Sequence, residues 1–198
     1  MAAALAVVSS SAQAACGQFT TCYVGDTLTL TVPVTASVGG RCFFASGEAP
    51  QGTYDIPGFI DTTTWSKDFE FTIDCNTASR VGVVSTNGGL KTAGTITDPG
   101  YLGLAPYEVA LFLDGNLVDA SGNCSAASLL ASAGTPCTFR GPAAPGQGMA
   151  LLSPSKDQSG SKLTVSAPAY STTPAGASTT LVSGSYTDTL TITIAAVP

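Results

Sequence analysis

Histidine is absent from the chain, and charged side chains are scarce, making up only 10% of its 198 residues. Without histidine, neither a Ser-His-Asp triad, nor a Cys-His pair, nor a histidine metal site can be built. The glycines do not form a phosphate-binding loop. Basic residues number 7 against 13 acidic ones, and this net charge of -6 argues against nucleic acid and anionic lipid as partners. We therefore expect no enzyme and no cofactor.

Long apolar runs are also missing, so no segment is predicted to insert into a membrane. A short apolar stretch at residues 2–8 is followed by Ala12-Gln13-Ala14, which fits the small-x-small rule for signal cleavage. We interpret residues 1–14 as a signal peptide and expect the mature protein to begin at Ala15. No Lys or Arg precedes Arg41, so the positive n-region is missing and we expect the true start codon upstream. The sequence thus predicts export.

The composition that remains, with 22 Gly and 12 Pro among many Thr, Ser and Ala residues, is typical of short strands joined by tight turns. No helical pattern of credible length and no internal repeat occur. Residues 27–38 and residues 185–194 alternate small polar with apolar side chains, and each run predicts a strand with one apolar face. Pro33 cannot donate to a ladder, which places the first run at an edge or in an unusual pairing.

Further strands are predicted between these two runs. Residues 68–75 form the clearest central strand, with one face made of Phe69, Phe71, Ile73 and Cys75. Shorter strands are predicted at residues 81–85, 107–113, 117–118, 163–166 and 179–182. Asp114-Gly115-Asn116 reads as a hairpin turn, and residues 121–148 as an insertion rich in Ala, Ser, Gly and Pro. We expect an N-terminal extension at residues 15–38 and a β domain at residues 39–198.

Six cysteines in an exported chain form an even number, which favours disulfides over metal binding or catalysis. Six cysteines allow fifteen pairings. Spacing favours Cys16 with Cys22, Cys42 with Cys75, and Cys124 with Cys137. Free buried thiols are the alternative. The pairing of Cys16, Cys22, Cys124 and Cys137 stays open at this point.

Two acidic patterns invite a chemical interpretation. The run from Asp114 to Asp119 resembles the start of a calcium loop, but the bidentate glutamate at its twelfth position is missing, so we interpret it as a turn. Asp68, Glu70 and Asp74 alternate on one strand face and resemble the paired carboxylates of a glycosidase. A solvated strand face explains these acids more simply.

The order of these features resembles the spore coat protein U domain family, the fold of archaic chaperone-usher pilins. The resemblance spans most of the mature chain. It is carried by the export signal, the alternating extension, Gly39-Gly40-Arg41-Cys42, the aromatic strand ending at Cys75, the strand at residues 107–113, and the run at residues 184–194. The terminal G-x-Y-x-D-x-apolar pattern is its most specific part. The chain departs from the family in the segment at Cys16 and Cys22, the insertion at residues 121–148 and the tail at residues 195–198.

The resemblance implies an immunoglobulin-like β-sandwich that lacks its last strand and is completed by donor-strand exchange. The groove would be bordered by Tyr186, Leu190, Ile192 and Ile194. The donor residues would be Leu28, Leu30, Val32 and Val34. The bridge typical of the family would join Cys42 and Cys75. The implied partners are related pilin subunits, a periplasmic chaperone and an outer-membrane usher, and the implied function is a structural subunit of a surface pilus in adhesion and biofilm formation.

Other interpretations remain open on the sequence alone. Residues 27–38 are also compatible with an ordinary first strand within their own sheet. A self-contained secreted binding module for carbohydrate would use Trp65, Tyr54 and Tyr101 as stacking platforms. A hydrolase with two carboxylates is supported only by their presence. In every case, Asp188 shares a face with apolar residues and is predicted to lie at a rim or to find a hydrogen-bond partner.

Overall fold

Short strands dominate the computed structural model, which describes residues 35–45, 47, 52–96, 101–170 and 180–197. The strands are β1 (Cys42–Phe44), β2 (Trp65–Glu70), β3 (Ile73–Cys75), β4 (Ser79–Ser85), β5 (Leu90–Thr92), β6 (Tyr101–Leu102), β7 (Leu104–Ala105), β8 (Glu108–Leu113), β9 (Ala120–Ser125), β10 (Met149–Leu151), β11 (Ser155–Gln158), β12 (Lys162–Ala167), β13 (Thr180–Leu181), β14 (Tyr186–Thr187) and β15 (Leu190–Ala196). A 3-10 turn at Ala126–Leu129 is the helical element whose bounds are described. The all-β prediction is therefore confirmed, and no described helix has the length and hydrophobicity needed to cross a membrane.

The chain divides into two compact units, Met1–Ser37 and Val38–Pro198. Nearly all described residues, including strands β1 to β15, belong to the second unit. The predicted signal peptide, the donor residues Leu28, Leu30, Val32 and Val34, and the pair Cys16 and Cys22 lie outside the described residues.

The largest sheet contains four antiparallel strands in the order β2-β12-β8-β9. Its register brings Leu163 opposite Leu111 and Val165 opposite Val109. These residues face inward and are at most 7% exposed, whereas their neighbours along each strand are more accessible. This alternation follows from the two-residue period of a strand with one covered face. The inward face supplies one side of the core.

Three-stranded sheets β10-β4-β15, β1-β3-β11 and β14-β5-β7, together with the parallel pair β13-β6, complete the described architecture. Val81, Val83, Ile73 and Leu151 of these sheets are fully buried in the same cluster as the residues of the four-stranded sheet. Phe71, Leu129 and Phe139 fill the remaining interior. Sheets β10-β4-β15 and β1-β3-β11 thus share one apolar core with the four-stranded sheet.

The predicted central strand at residues 68–75 is wrong, because this stretch changes sheets midway. Its first part, β2, pairs with β12, while its second part, β3, pairs with β1 and β11. The amide of Phe71 still donates to the carbonyl of Ser161, but the carbonyl of Thr72 accepts from Ala45. Phe71 and Ile73 are both buried at this crossing. Period-two alternation continues through the crossing, so the pattern does not reveal it.

The predicted insertion at residues 121–148 also needs correction. Its first residues belong to β9, which pairs with β8 from Ala120 opposite Leu113 to Ser125 opposite Glu108. The predicted strand at residues 117–118 is loop instead, and Leu117 is 84% exposed. The hairpin therefore has a longer connection than the turn signal indicated.

Two predicted disulfides are present, Cys42–Cys75 and Cys124–Cys137. The first joins residues that are directly opposite each other on β1 and β3. The second joins the end of β9 to the segment before Phe139, which lies in the core. Disulfides persist in oxidising compartments, which agrees with the predicted export.

Candidate functional site

The candidate site is the outer edge of β15. This strand pairs with β4 along its whole length, from Leu190 opposite Ser85 to Ala196 opposite Ser79. In the sheet order β10-β4-β15, its other edge has no partner among the described strands. Strand β1 of a different sheet runs close to β15 without joining its ladder. Within the described part of the chain, the N–H and C=O groups along this edge are thus not used by a neighbouring strand, as at the edge of a sheet.

The side chains of β15 are only half covered. Leu190, Ile192 and Ile194 pack against the core but remain partly exposed, as do the last alanines of the strand. Three large aliphatic side chains in a row thus border the open edge. An apolar edge of this kind favours pairing with another strand.

Tyr186 does not share this edge. The run predicted at residues 185–194 is interrupted at Asp188 and Thr189, and Tyr186 lies on β14, opposite Thr92 of β5. Its hydroxyl donates to the carbonyl of Val182 at 2.8 Å. Of the four predicted groove residues, the structure therefore brings together Leu190, Ile192 and Ile194 and places Tyr186 in another sheet.

Asp188 causes the interruption and anchors the start of β15. Its carboxylate accepts hydrogen bonds from Ser85 Oγ at 2.7 Å, from the Tyr107 hydroxyl at 2.8 Å and from the amide of Asn87 at 3.0 Å. Ser85 Oγ in turn accepts from the amide of Gly88, whose φ of +71° favours glycine. Burial raises the pKa of Tyr107, and its hydrogen bond to Asp188 raises it further.

These contacts confirm that Asp188 has hydrogen-bond partners. They join the end of β4, the start of β8 and the start of β15 through one carboxylate. Ser85 and Tyr107 were not predicted as members of the site. The sequence signal for Ser85 is its position as a polar residue at the end of an apolar strand, and the structure buries it to 2% exposure.

One face of β15 is covered by the segment that follows the second disulfide. The amide of Ala143 donates to Thr193 Oγ1 at 2.7 Å, and Val83 of β4 forms a parallel bridge with Arg140. The crossing is so close that a Cβ on Gly82 would lie 2.7 Å from the amide nitrogen of Ala143. We call residues 140–143 the strap, and it leaves the outer edge of β15 as the open side.

The N-terminal extension enters the body beside the last residue of β15. Asn76 holds this entry, because its Oδ1 accepts from the amide of Arg41 at 2.6 Å and its Nδ2 donates to the carbonyl of Gly39 at 3.2 Å. A Cβ on Gly40 would lie 3.7 Å from the Cβ of Ala196. The extension thus leaves the body at the Ala196 end of the open edge.

The aromatic residues of the carbohydrate-binding alternative do not form a platform. Trp65 is only 5% exposed and packs between Tyr54 and Tyr107, with ring centroids at 6.4 and 5.9 Å. Tyr101 lies on β6 and is 44% exposed. A stacking surface requires an exposed ring face, so Trp65 serves the core instead.

The acidic residues are likewise engaged in structural contacts. Asp68 on β2 accepts from Thr164 Oγ1 at 2.6 Å and from Lys162 Nζ at 2.9 Å, and these two contacts, that with Thr164 first, lower its pKa. Asp74 lies on β3 in a different sheet from Asp68 and Glu70. A general acid needs a raised pKa, so this arrangement does not suit glycoside hydrolysis.

Asp119 stabilises its own turn, and Asp114 joins that turn to the connection between β11 and β12. Asp119 Oδ1 accepts from the amide of Gly115 at 3.1 Å, and Asp114 Oδ2 accepts from the amide of Gly160 at 3.1 Å. Across the residues with described positions, no group of three or more His, Cys, Asp or Glu side chains is placed to hold a metal ion.

Comparison with known proteins adds no family assignment. No protein-family model matches the chain, and no curated protein or solved structure matches it. The function is therefore argued from the residues and their geometry.

Proposed function

We propose that this protein is a structural subunit of a surface pilus, assembled by donor-strand exchange. The observation that carries the proposal is the open edge of β15 with its half-buried Leu190, Ile192 and Ile194. A second is the alternating run at residues 27–34 in the same chain, which supplies a strand of suitable pattern. The resulting fold would be an immunoglobulin-like sandwich completed by a neighbouring molecule.

Apolar burial would supply the main driving force of such an exchange. Burying Leu28, Leu30, Val32 and Val34 at about 1.5 to 3 kcal/mol each contributes roughly 6 to 12 kcal/mol before ordering costs. Main-chain hydrogen bonds along β15 would set the register. Because each copy both donates and accepts, the contact is head-to-tail and makes a filament.

The proposal also includes the route by which subunits are assembled and the role of the assembled fibre. An exposed apolar edge is prone to aggregation before assembly, so a periplasmic chaperone would protect it and an outer-membrane usher would exchange it. The assembled fibre would lie at the cell surface and serve adhesion and biofilm formation. The protein itself would perform no catalysis.

A peptide-binding experiment tests the proposal. A chain lacking residues 15–34 is expected to be a monomer that binds a synthetic peptide of residues 27–34 along β15. Ile192→Lys should abolish binding, because it places a charge among the half-buried aliphatic side chains. Thr191→Lys is the matched control, since Thr191 is exposed on the same strand. A chain that ignores the peptide, or that loses its fold without its own extension, contradicts the proposal.

A further inference from the structure

Three of the most exposed aliphatic side chains of the body lie on two adjoining loops. Leu117 is 84% exposed, Val118 56% and Leu152 78%. Leu117 and Val118 belong to the connection between β8 and β9, and Leu152 to the connection between β10 and β11. We call these three residues the apolar tip.

The apolar tip is held rigidly by polar contacts beneath it. The amide of Asn116 donates to the carbonyl of Pro154 at 2.9 Å, and Asn116 Oδ1 accepts from the amide of Lys156 at 2.7 Å. Ser153 Oγ donates to the carbonyl of Val118 at 3.1 Å. The nearby carboxylates of Asp114 and Asp119 accept from backbone amides. The surface offered to a partner therefore consists of the three aliphatic side chains, with the exposed Asn116 and Asp119 beside them.

The apolar tip lies at the end of the body where the extension departs. Leu151 is opposite Ser79 on one side of β4, and Ala196 is opposite Ser79 on the other side. With a strand spacing of about 4.8 Å, Leu151 and Ala196 are about 10 Å apart. Gly40, where the extension enters the body, lies beside Ala196.

A second apolar surface lies at the other end of β15. Ile96 and Leu104, exposed by 37% and 39%, line a depression together with Asn87, Lys91, Thr92, Gly94 and Gly103. Thr92 is opposite Tyr186, which precedes the first residue of β15 by four positions. We call this surface, after its two exposed aliphatic side chains, the apolar depression.

We propose that the apolar tip of one copy packs into the apolar depression of the copy that accepts its extension. The inference rests on the proposed strand exchange. Only five peptide steps separate Val34 from Gly39, and they span at most about 18 Å. The departure end of the donor must therefore lie close to one end of the acceptor's open edge. Contact at the Leu190 end requires that the donated strand runs antiparallel to β15.

Charge favours the same arrangement. Every copy has a net charge of -6, so a close contact between identical copies is opposed by general repulsion. The exposed Asp119 beside the tip and the exposed Lys91 in the lining of the depression have opposite charges, so this pair of surfaces offsets the repulsion locally. A head-to-tail contact also needs two different surfaces, one at each end.

The test uses the full chain, refolded with and without an excess of labelled synthetic peptide of residues 27–34. Peptide capture reports the open edge, and mass photometry without peptide reports the lifetime of oligomers on dilution. The double variant Leu117→Ser with Leu152→Ser is expected to capture peptide within twofold of the native chain, but its oligomers should dissociate at least tenfold faster. Leu104→Ser should likewise leave peptide capture unchanged and speed up the dissociation of oligomers. Phe59→Ser is the matched control, because Phe59 is 81% exposed yet lies in the loop before β2.

Each outcome decides one of the two ideas. Oligomers of the double variant that persist as long as those of the native chain overturn the tip contact and leave strand exchange intact. Loss of peptide capture in the double variant also overturns it, because the tip would then act on the edge itself. A native chain that stays monomeric and captures no peptide overturns strand exchange and, with it, this inference.

Discussion

Strands β12 and β15 have similar sequences but different surroundings. Lys162–Ala167 and Leu190–Ala196 both alternate small polar and aliphatic residues. In β12, the inward residues Leu163, Val165 and Ala167 are 3 to 7% exposed. In β15, the corresponding Leu190, Ile192 and Ile194 are only half buried. One strand has paired neighbours on both sides, whereas β15 has one in the part of the chain that is described.

This difference shows what alternation means physically. The pattern determines which side chains share a face, because successive residues of a strand point to opposite sides. It does not determine whether another strand completes the ladder beside them. The partial burial of β15 is thus a property of its surroundings. Comparing variants near β15 with variants in the four-stranded sheet tests this explanation.

The two disulfides give the largest expected effects, one in each region. Cys42–Cys75 closes a separation of 33 residues near β15, and Cys124–Cys137 closes one of 13 beside the four-stranded sheet. By the loop-entropy model, replacing the first pair by alanine should lower the free energy of unfolding by about 4 kcal/mol and the second by about 3 kcal/mol. Urea denaturation of the two double variants measures the difference. A larger loss of unfolding free energy for the second pair would mean that its disulfide also stabilises the folded strap, in addition to its effect on the entropy of the unfolded chain.

Core truncation compares the two strands directly. Leu163→Ala should destabilise the chain by about 3 kcal/mol, because it leaves a cavity under a covered strand. Ile192→Ala should reduce stability by only about 1 kcal/mol in a chain without residues 15–34, because its side chain is only partly buried. Adding the peptide of residues 27–34 should increase the stability loss caused by Ile192→Ala but not the loss caused by Leu163→Ala. Equal losses without peptide would show that β15 is covered after all.

Removal of the Asp188 carboxylate should have the next largest effect. Asp188→Asn weakens its contacts with Ser85, Tyr107 and Asn87 and should reduce stability by about 2 kcal/mol. Asp68→Asn is the matched control, because the Asp68 side chain is 41% exposed and its ion pair with Lys162 is worth little. Hydrogen exchange should show faster opening of β15 in Asp188→Asn alone. Equal hydrogen-exchange protection of β15 in both variants would contradict the idea that Asp188 anchors this strand.

Particular residues show how far sequence reasoning reaches. Strands β4, β8 and β12 follow from their alternation, and the Cys42–Cys75 and Cys124–Cys137 pairings follow from spacing within an exported chain. The need of Asp188 for partners follows from the cost of burying a carboxylate. The identity of those partners does not, because Ser85 lies 103 residues earlier in the chain.

Other features also cannot be predicted from local sequence patterns, because they depend on tertiary contacts. The contact of Ala143 with Thr193 spans 50 residues and uses a backbone amide, which has no sequence signature. The sheet change after Phe71 preserves the alternation on either side of it. The interruption before β15 was hidden because Tyr186 and Leu190 keep the same parity across Asp188. Tertiary pairing decides each of these features.

The smallest expected effect concerns the exposed surface of the four-stranded sheet. Hydrogen bonds from Thr164 and then Lys162 hold the pKa of Asp68 below its ordinary value in the folded chain. A lowered folded pKa means that the contact stabilises the fold at neutral pH and that this contribution is lost as the pH falls through the folded pKa, below about pH 4. Thr164→Val removes the larger contribution and should raise the pKa of Asp68, as measured by carboxyl NMR titration.

The stability change that accompanies this shift should be close to the detection limit, because solvent screens the exposed pair. Added salt should reduce it further. Peptide binding at β15 should not respond to Thr164→Val, since Thr164 lies on β12 in a different sheet. A change in peptide affinity would show that the four-stranded sheet and the open edge are energetically coupled, in which case the contrast between β12 and β15 could not be attributed to neighbouring strands alone.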